Sequence, residues 1–204
     1  MQILLIRHAL PLRSDDGADP ELAELGLQQA GRLPEALTRF DIRRLVSSPQ
    51  RRAHQTAAPV ASALGLTVDI DERLAEYDRG MSHYMPIEEV RLKRPDDWNR
   101  MAAGELPPAV DVGAFRSRID AALHDIVNAA DPDHTVAVFS HGGVINVTLH
   151  QILGTAKVLS FPIEYASLTL LRYSRRGLPT VAGVNGVEHV WDLLPRNRGE
   201  IASA

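Results

Sequence analysis

The chemistry of this sequence starts at Leu5-Ile6-Arg7-His8-Ala9-Leu10, where an uncharged apolar run ends in an arginine followed by a histidine. An imidazole nitrogen can take a phosphoryl group as a nucleophile, and a guanidinium beside it can hold the oxygens of that group through paired N–H donors. The same dipeptide can equally cap or pack a strand end, and two residues alone do not decide between these readings.

A second cluster, Ser47-Ser48-Pro49-Gln50-Arg51-Arg52-Ala53-His54-Gln55-Thr56-Ala57, again follows an apolar strand and opens a helix of apolar periodicity. Helix amino termini attract anions. Ser47 or Ser48 is placed to cap this helix and Pro49 to stand in its first turn, with an arginine one turn in directed back at a bound phosphate. The competing reading is a capped helix with solvated arginines. A third cluster, Phe139-Ser140-His141-Gly142-Gly143-Val144, ends another apolar run, and its glycines would let a phosphate approach the N–H groups at a helix start while His141 adds a donor.

These clusters need elements to carry them. Strand-like runs lie at 1–6, 44–46, 67–70, 135–139, 168–173 and 181–184, and helical patterns at 20–37, 50–64, 86–93, 114–129 and 144–153. Their alternation predicts an α/β fold of three layers, α/β/α, with helices on both faces of a wound, mostly parallel sheet. Ligands of such sheets sit beyond the carboxyl ends of the strands, where all three clusters fall. One domain is expected over 1–195, with an inserted lid-like segment at 81–112 and a frayed tail at 196–204.

The formal net charge of -4 supplies no basic field for nucleic acid, so the expected partner is a small phosphorylated metabolite. With no cysteine, thiolate nucleophiles, thiolate metal sites and disulfides are excluded. The first residues enter a strand without a leader pattern, and no run is apolar and long enough for a bilayer, which predicts a cytoplasmic protein without a membrane partner. The eight histidines include no HExxH pair and no convincing ligand spacing, so neither a metal nor another cofactor is expected.

Taken in order, LIRHA, SSPxxRAxxTA and SHGG resemble the histidine phosphatase superfamily, also called phosphoglycerate mutase-like, over roughly residues 1–190. The resemblance implies a phosphoglycerate mutase-like fold with His8 as the phosphorylated nucleophile. Arg7, Arg52 and His141 would form the phosphate pocket, and Arg52 rather than Arg51 matches because it directly precedes Ala53. Gly142 at the helix start, Ser14 and His83 are added as phosphate or substrate contacts. The family's acidic proton donor matches Glu76 best, between Leu74 and Gly80, with Glu72 as runner-up. Two departures stand out: Ala9 replaces the usual glycine, where a methyl would tighten the pocket, and Met81-Ser82-His83-Tyr84 replaces an aromatic-acidic-glycine continuation. His83 and Tyr84 are candidates for contact with the leaving group.

The implied reaction is attack of neutral His8 on phosphorus, protonation of the leaving alcohol by Glu76, and hydrolysis of phosphohistidine by water that the same carboxylate activates. The expected activity is that of a metal-independent phosphatase on a small phosphomonoester. Its rivals are a cofactor-dependent phosphoglycerate mutase and a silent module that binds phosphate or phosphoprotein. Arg13, Arg116 and Arg118 are read as surface charge in preference to a second anion site. Phe161, Tyr165 and Tyr173 are assigned to the core or to a homodimer interface.

Overall fold

A computed structural model describes residues 1–198 of the chain. Along it lie β1 (Gln2–Arg7), α1 (Glu24–Gly31), α2 (Leu33–Ala36), β2 (Ile42–Ser47), α3 (Arg51–Leu64), β3 (Val68–Ile70), α4 (Ile87–Lys93), α5 (Pro95–Ala102), α6 (Val112–Asn128), β4 (Thr135–Ser140), α7 (Gly142–Leu153), β5 (Leu168–Tyr173) and β6 (Pro179–Gly186). They build one six-stranded sheet in the order β3-β2-β4-β1-β5-β6. The first four strands of that order are parallel, and β5 and β6 continue the sheet antiparallel.

The absence of charge from the middle of β1 has a direct cause. Successive side chains of a strand face opposite ways, and both faces of this one are covered. Ile3 and Leu5 enter a cluster with Phe115 and Ile119 of α6 and Val144 and Val147 of α7. Leu4 and Ile6 enter another with Ala30, Leu33, Ala57 and Val60 of α1, α2 and α3. The three expected layers are therefore present.

Where element boundaries differ from the sequence reading, local chemistry explains the difference. The helix expected over 20–37 starts late because Pro11 and Leu22 form an antiparallel bridge, with the Ala23 N–H donating to the Leu10 carbonyl at 3.0 Å. It then breaks between α1 and α2, since Pro34 lacks an N–H and its ring clashes with a carbonyl four residues back. Segment 81–112 is more ordered than its weak periodicity suggests, for it holds α4 and α5, neither with a buried residue. At the start of the expected tail, Pro195–Asn197 form a 3₁₀ turn behind buried Leu194. Residues 199–204 of that tail lie outside the described residues.

Candidate active site

Strand register brings the three clusters together. Arg7 at the end of β1 pairs with Ser140 at the end of β4, and Phe139 pairs on its other side with Ser47 of β2. The chain leaves all three strands at the same edge. There the His8 N–H donates to the Ser140 carbonyl at 2.8 Å and the Ser48 N–H to the Phe139 carbonyl at 2.9 Å.

His8 is 3% exposed, and its ring lies 5.2 Å from that of His141 and 5.8 Å from that of Tyr165, centroid to centroid. Its Nδ1 is 2.8 Å from the Ala9 carbonyl oxygen, which can only accept, so Nδ1 carries the proton and Nε2 keeps its lone pair. Burial and the charges of Arg52 and Arg7 push its pKa well below the ordinary imidazole range, which keeps the ring neutral. Arg7 lies with its guanidinium carbon 3.8 Å from the Tyr165 ring centroid and donates through Nη1 to the Ile163 carbonyl at 2.6 Å.

Arg52, 1% exposed, donates to the Ala18 carbonyl at 2.9 Å and through Nη2 to both Asp78 oxygens at 2.9 and 2.8 Å. Burial opposes its charge, and Asp78, Tyr84 and Glu76 together outweigh that opposition. The side chain of Tyr84 packs on the same guanidinium, 4.7 Å from ring centroid to Cζ. His141 Nε2 is 2.7 Å from Ser48 Oγ, and that oxygen also accepts from the Gln50 N–H at 3.3 Å. With Nε2 as the acceptor for the Ser48 hydroxyl proton, the neutral ring presents Nδ1–H. Burial comes first among the causes that hold the His141 pKa well below normal, followed by Arg52, His8 and Arg7.

Arg7 Nε, Arg52 Nε and His141 Nδ1 are buried without a hydrogen-bond partner among the described residues. Unmatched buried donors are costly, roughly 1–3 kcal/mol each and more for charged groups, and three of them beside one lone pair form a receptor for an oxyanion.

Glu76 reaches this edge through β3, whose chain continues into a 3₁₀ turn at Glu72–Leu74 capped by Asp71, which accepts from the Arg73 N–H at 2.9 Å. Its carboxylate accepts from the Tyr77 N–H at 3.0 Å and the Gly143 N–H at 2.8 Å. Burial and then the Asp78 charge raise its pKa to about 7, against the two backbone donors and Arg52, which pull it down. A carboxyl poised there can give a proton and take it back near neutrality.

The structure gathers Arg7, His8, Arg52, Glu76, His141 and Gly142, where a Cβ on Gly142 would lie 3.7 Å from Arg7 Nε. Other expectations are corrected. Ser47 and Ser48 do not cap α3: its N-cap is Gln50, outside which Pro49 falls, and Asp19 receives the Arg51 N–H at 2.7 Å. Gly143 gives its N–H to Glu76 instead of leaving it open, and a Cβ there would stand 2.9 Å from Glu76 Cδ, which only glycine avoids. The Ala9 methyl belongs to the apolar cluster of Leu4 and Ile6, so it does not narrow the pocket. Glu72 is an exposed partner of Arg79. Ser14 exchanges backbone hydrogen bonds with Tyr84 at 3.1 and 2.7 Å while its hydroxyl accepts from the Asp16 N–H. His83 is exposed beside Ser82 and Arg94, so neither it nor the Ser14 hydroxyl joins the buried group. Arg13 pairs with Asp15 and Glu89, and Arg118 donates to the Arg73 and Glu76 carbonyls.

Tyr165, Asp78, Gln50 and the true place of Ser48 escaped the sequence reading. Tyr165 is wholly buried against Arg7 and His8, a site contact where core or interface packing was expected. The turn-forming stretch Phe161-Pro162-Ile163-Glu164-Tyr165 before β5 offers no periodic signal, whereas Asp78 could have been noticed as a second acid two residues from Glu76.

The model of the histidine phosphatase superfamily (branch 1) matches residues 3–185. The chain is 31% identical over 189 residues to phosphoserine phosphatase 1 of Hydrogenobacter thermophilus, covering 86% of this chain and 88% of that protein. It is 25% identical over 201 residues to the probable phosphoglycerate mutase GpmB of Yersinia pestis, covering 94% and 93%. Among solved structures, mycobacterial glucosyl-3-phosphoglycerate phosphatase superposes with a TM-score of 0.72 at 25% identity, over 91% of this chain and 98% of that one.

Proposed function

Because this chain belongs to the histidine phosphatase superfamily, branch 1, we propose that its edge-on cluster of buried donors transfers a phosphoryl group from a small ester to His8 and then to water. The chain is a phosphoric monoester hydrolase of this superfamily. The observation that carries the reading is that His8, with its Nε2 lone pair free, stands beside His141 and within reach of the Arg7 and Arg52 charges, that Arg7 Nε, Arg52 Nε and His141 Nδ1 are buried without a partner among the described residues, and that a carboxyl of pKa about 7 belongs to the same cluster.

Neutral His8 attacks phosphorus while Arg7, Arg52 and His141 take the charge of the equatorial oxygens. Protonated Glu76 delivers its proton to the departing alkoxide, and the P–O bond breaks as the P–N bond forms. The resulting Glu76 carboxylate removes a proton from water, which displaces His8 from phosphorus and releases inorganic phosphate. Each step balances without a metal. Among the described residues, no group of three or more His, Asp or Glu side chains is arranged to hold one.

Phosphoserine is the first substrate to test, on the likeness to phosphoserine phosphatase 1. No helix among the described residues is long and apolar enough to cross a membrane. The deciding assay is phosphate release in EDTA from phosphoserine, phosphoglycerates and sugar phosphates by the wild type and His8→Ala. Release by the wild type alone supports the proposal. Bisphosphoglycerate-dependent isomerisation without release would make the chain a mutase, and tight phosphate binding without turnover would make it a binding module.

A further inference from the structure

Arg52, assigned to the phosphate, stands on α3 and Glu76, assigned to the proton, on the loop after β3, yet two side chains join them by hydrogen bonds. The Glu76 N–H donates to Gln50 Oε1 at 2.7 Å, and Gln50 Nε2 donates to Asp78 Oδ1 at 2.8 Å. Asp78 in turn grips Arg52 Nη2 with both oxygens. Gln50 is 3% exposed, and the Asp78 side chain is 13% exposed.

We propose that Asp78 and Gln50 are positioning residues that couple the phosphate-holding Arg52 to the proton donor Glu76, so that capture of the phosphoryl group and delivery of the proton are aligned by one hydrogen-bonded unit. This rests on the phosphatase reading above.

Three features support the coupling. First, a primary amide suits this position, since Gln50 accepts from one loop with its oxygen and donates to the next with its nitrogen, which neither a carboxylate nor a hydrocarbon of that size can do. Second, Asp78 holds Arg52 by Nη2 while Ala18 holds Nη1, which fixes the guanidinium plane and leaves the Nε edge for the substrate. Third, the charge of Asp78 opposes ionisation of Glu76. The other groups that act on Glu76 are Tyr77 from its own loop, Arg52 from α3, Arg118 from α6 and the Gly143 N–H of α7. Of these, Asp78 alone combines a carboxylate with a direct hold on the phosphate arginine.

The test compares an alkyl ester, which needs a protonated leaving group, with p-nitrophenyl phosphate, which does not. With wild-type activity on both esters established, kcat/KM is measured against pH for Asp78→Asn and Gln50→Leu, with circular dichroism to confirm folding. Gln50→Leu is expected to lose at least about tenfold more on the alkyl ester than on the aryl ester, because only the former requires an aligned acid. Asp78→Asn keeps one oxygen to accept from Gln50 and Arg52, loses the second acceptor to Arg52 and removes the charge, so the alkaline limb of the alkyl-ester profile should move to lower pH. Folded variants whose alkyl-to-aryl ratio and pH limb both stay at wild-type values would overturn the coupling. Equal losses on both esters with an unmoved limb would also overturn it, reducing Asp78 to a support for Arg52. A wild type that releases phosphate from neither ester would instead refute the phosphatase reading itself.

Discussion

The floor of the pocket and its rim are built on opposite plans. At the floor, buried His8, Arg52 and His141 and half-buried Arg7 stand on strand ends and helix starts, fixed by backbone carbonyls or by side chains that are themselves buried. At the rim, α4 and α5 bury no residue. Their half-exposed ion pairs are mostly local: Lys93–Glu89 lies within α4 and Arg94–Asp97 at the start of α5, while Arg13–Glu89 ties α4 to the loop after β1. Exposed pairs contribute little and are screened by salt, while a buried charge that loses its partner is expensive. The proposed chemistry thus rests on the part that cannot move cheaply, and the proposed lid is the part that can.

The strongest way to break this contrast is at the nucleophile. His8→Ala should lower turnover by on the order of 10⁴-fold or more in phosphate-release assays, and retained activity would show that the floor does not do the chemistry. Next in size, Arg52→Ala should cost about 10²–10³ in kcat, the scale of one preorganised donor. It should also destabilise the fold by roughly 3–5 kcal/mol in urea titration, because Asp78 keeps a charge without its partner.

The pH profile sharpens the contrast further. Glu76 must be protonated to help an alkoxide leave, so activity on alkyl esters should fall as pH rises through about 7. Glu76→Gln should erase that limb. His8 must be neutral, and its lowered pKa keeps it so into mild acid, so the wild type should stay active below the pH at which a free imidazole titrates. The smallest expected effect is at the rim. Arg94→Ala should change KM for the natural ester by about two- to fivefold while leaving kcat on p-nitrophenyl phosphate within about twofold, in keeping with the weak energies of exposed pairs. A tenfold loss of kcat there would erase the distinction between floor and rim.

The floor was also the part most readable from sequence. β1, β4 and β5 show themselves as short apolar runs because both faces of the sheet are covered, and Arg7 at the end of β1 and the histidines that follow β1 and β4 are conspicuous for that reason. What the sequence hid was side-chain direction. Ser48 has the right type and place for a cap, but its hydroxyl turns across the strand edge to His141, a contact that spans 93 positions. Gln50 reads as an ordinary helix residue until the loop after β3 arrives beside it. The antiparallel arrival of β5, which brings Tyr165 against Arg7, depends on a connection whose geometry has no periodic signature. Ala166 there adopts a φ of 54° that no alanine advertises.

β1 has one further consequence. It is bonded on both sides, to β4 and to β5, near the middle of the sheet, so local opening reaches it last. The amides of Leu4, Leu5 and Ile6 should exchange with solvent deuterium only when the whole domain unfolds, whereas those of α4 and α5 exchange through small fluctuations. A protease would accordingly nick the rim of a molecule whose nucleophile strand is still intact.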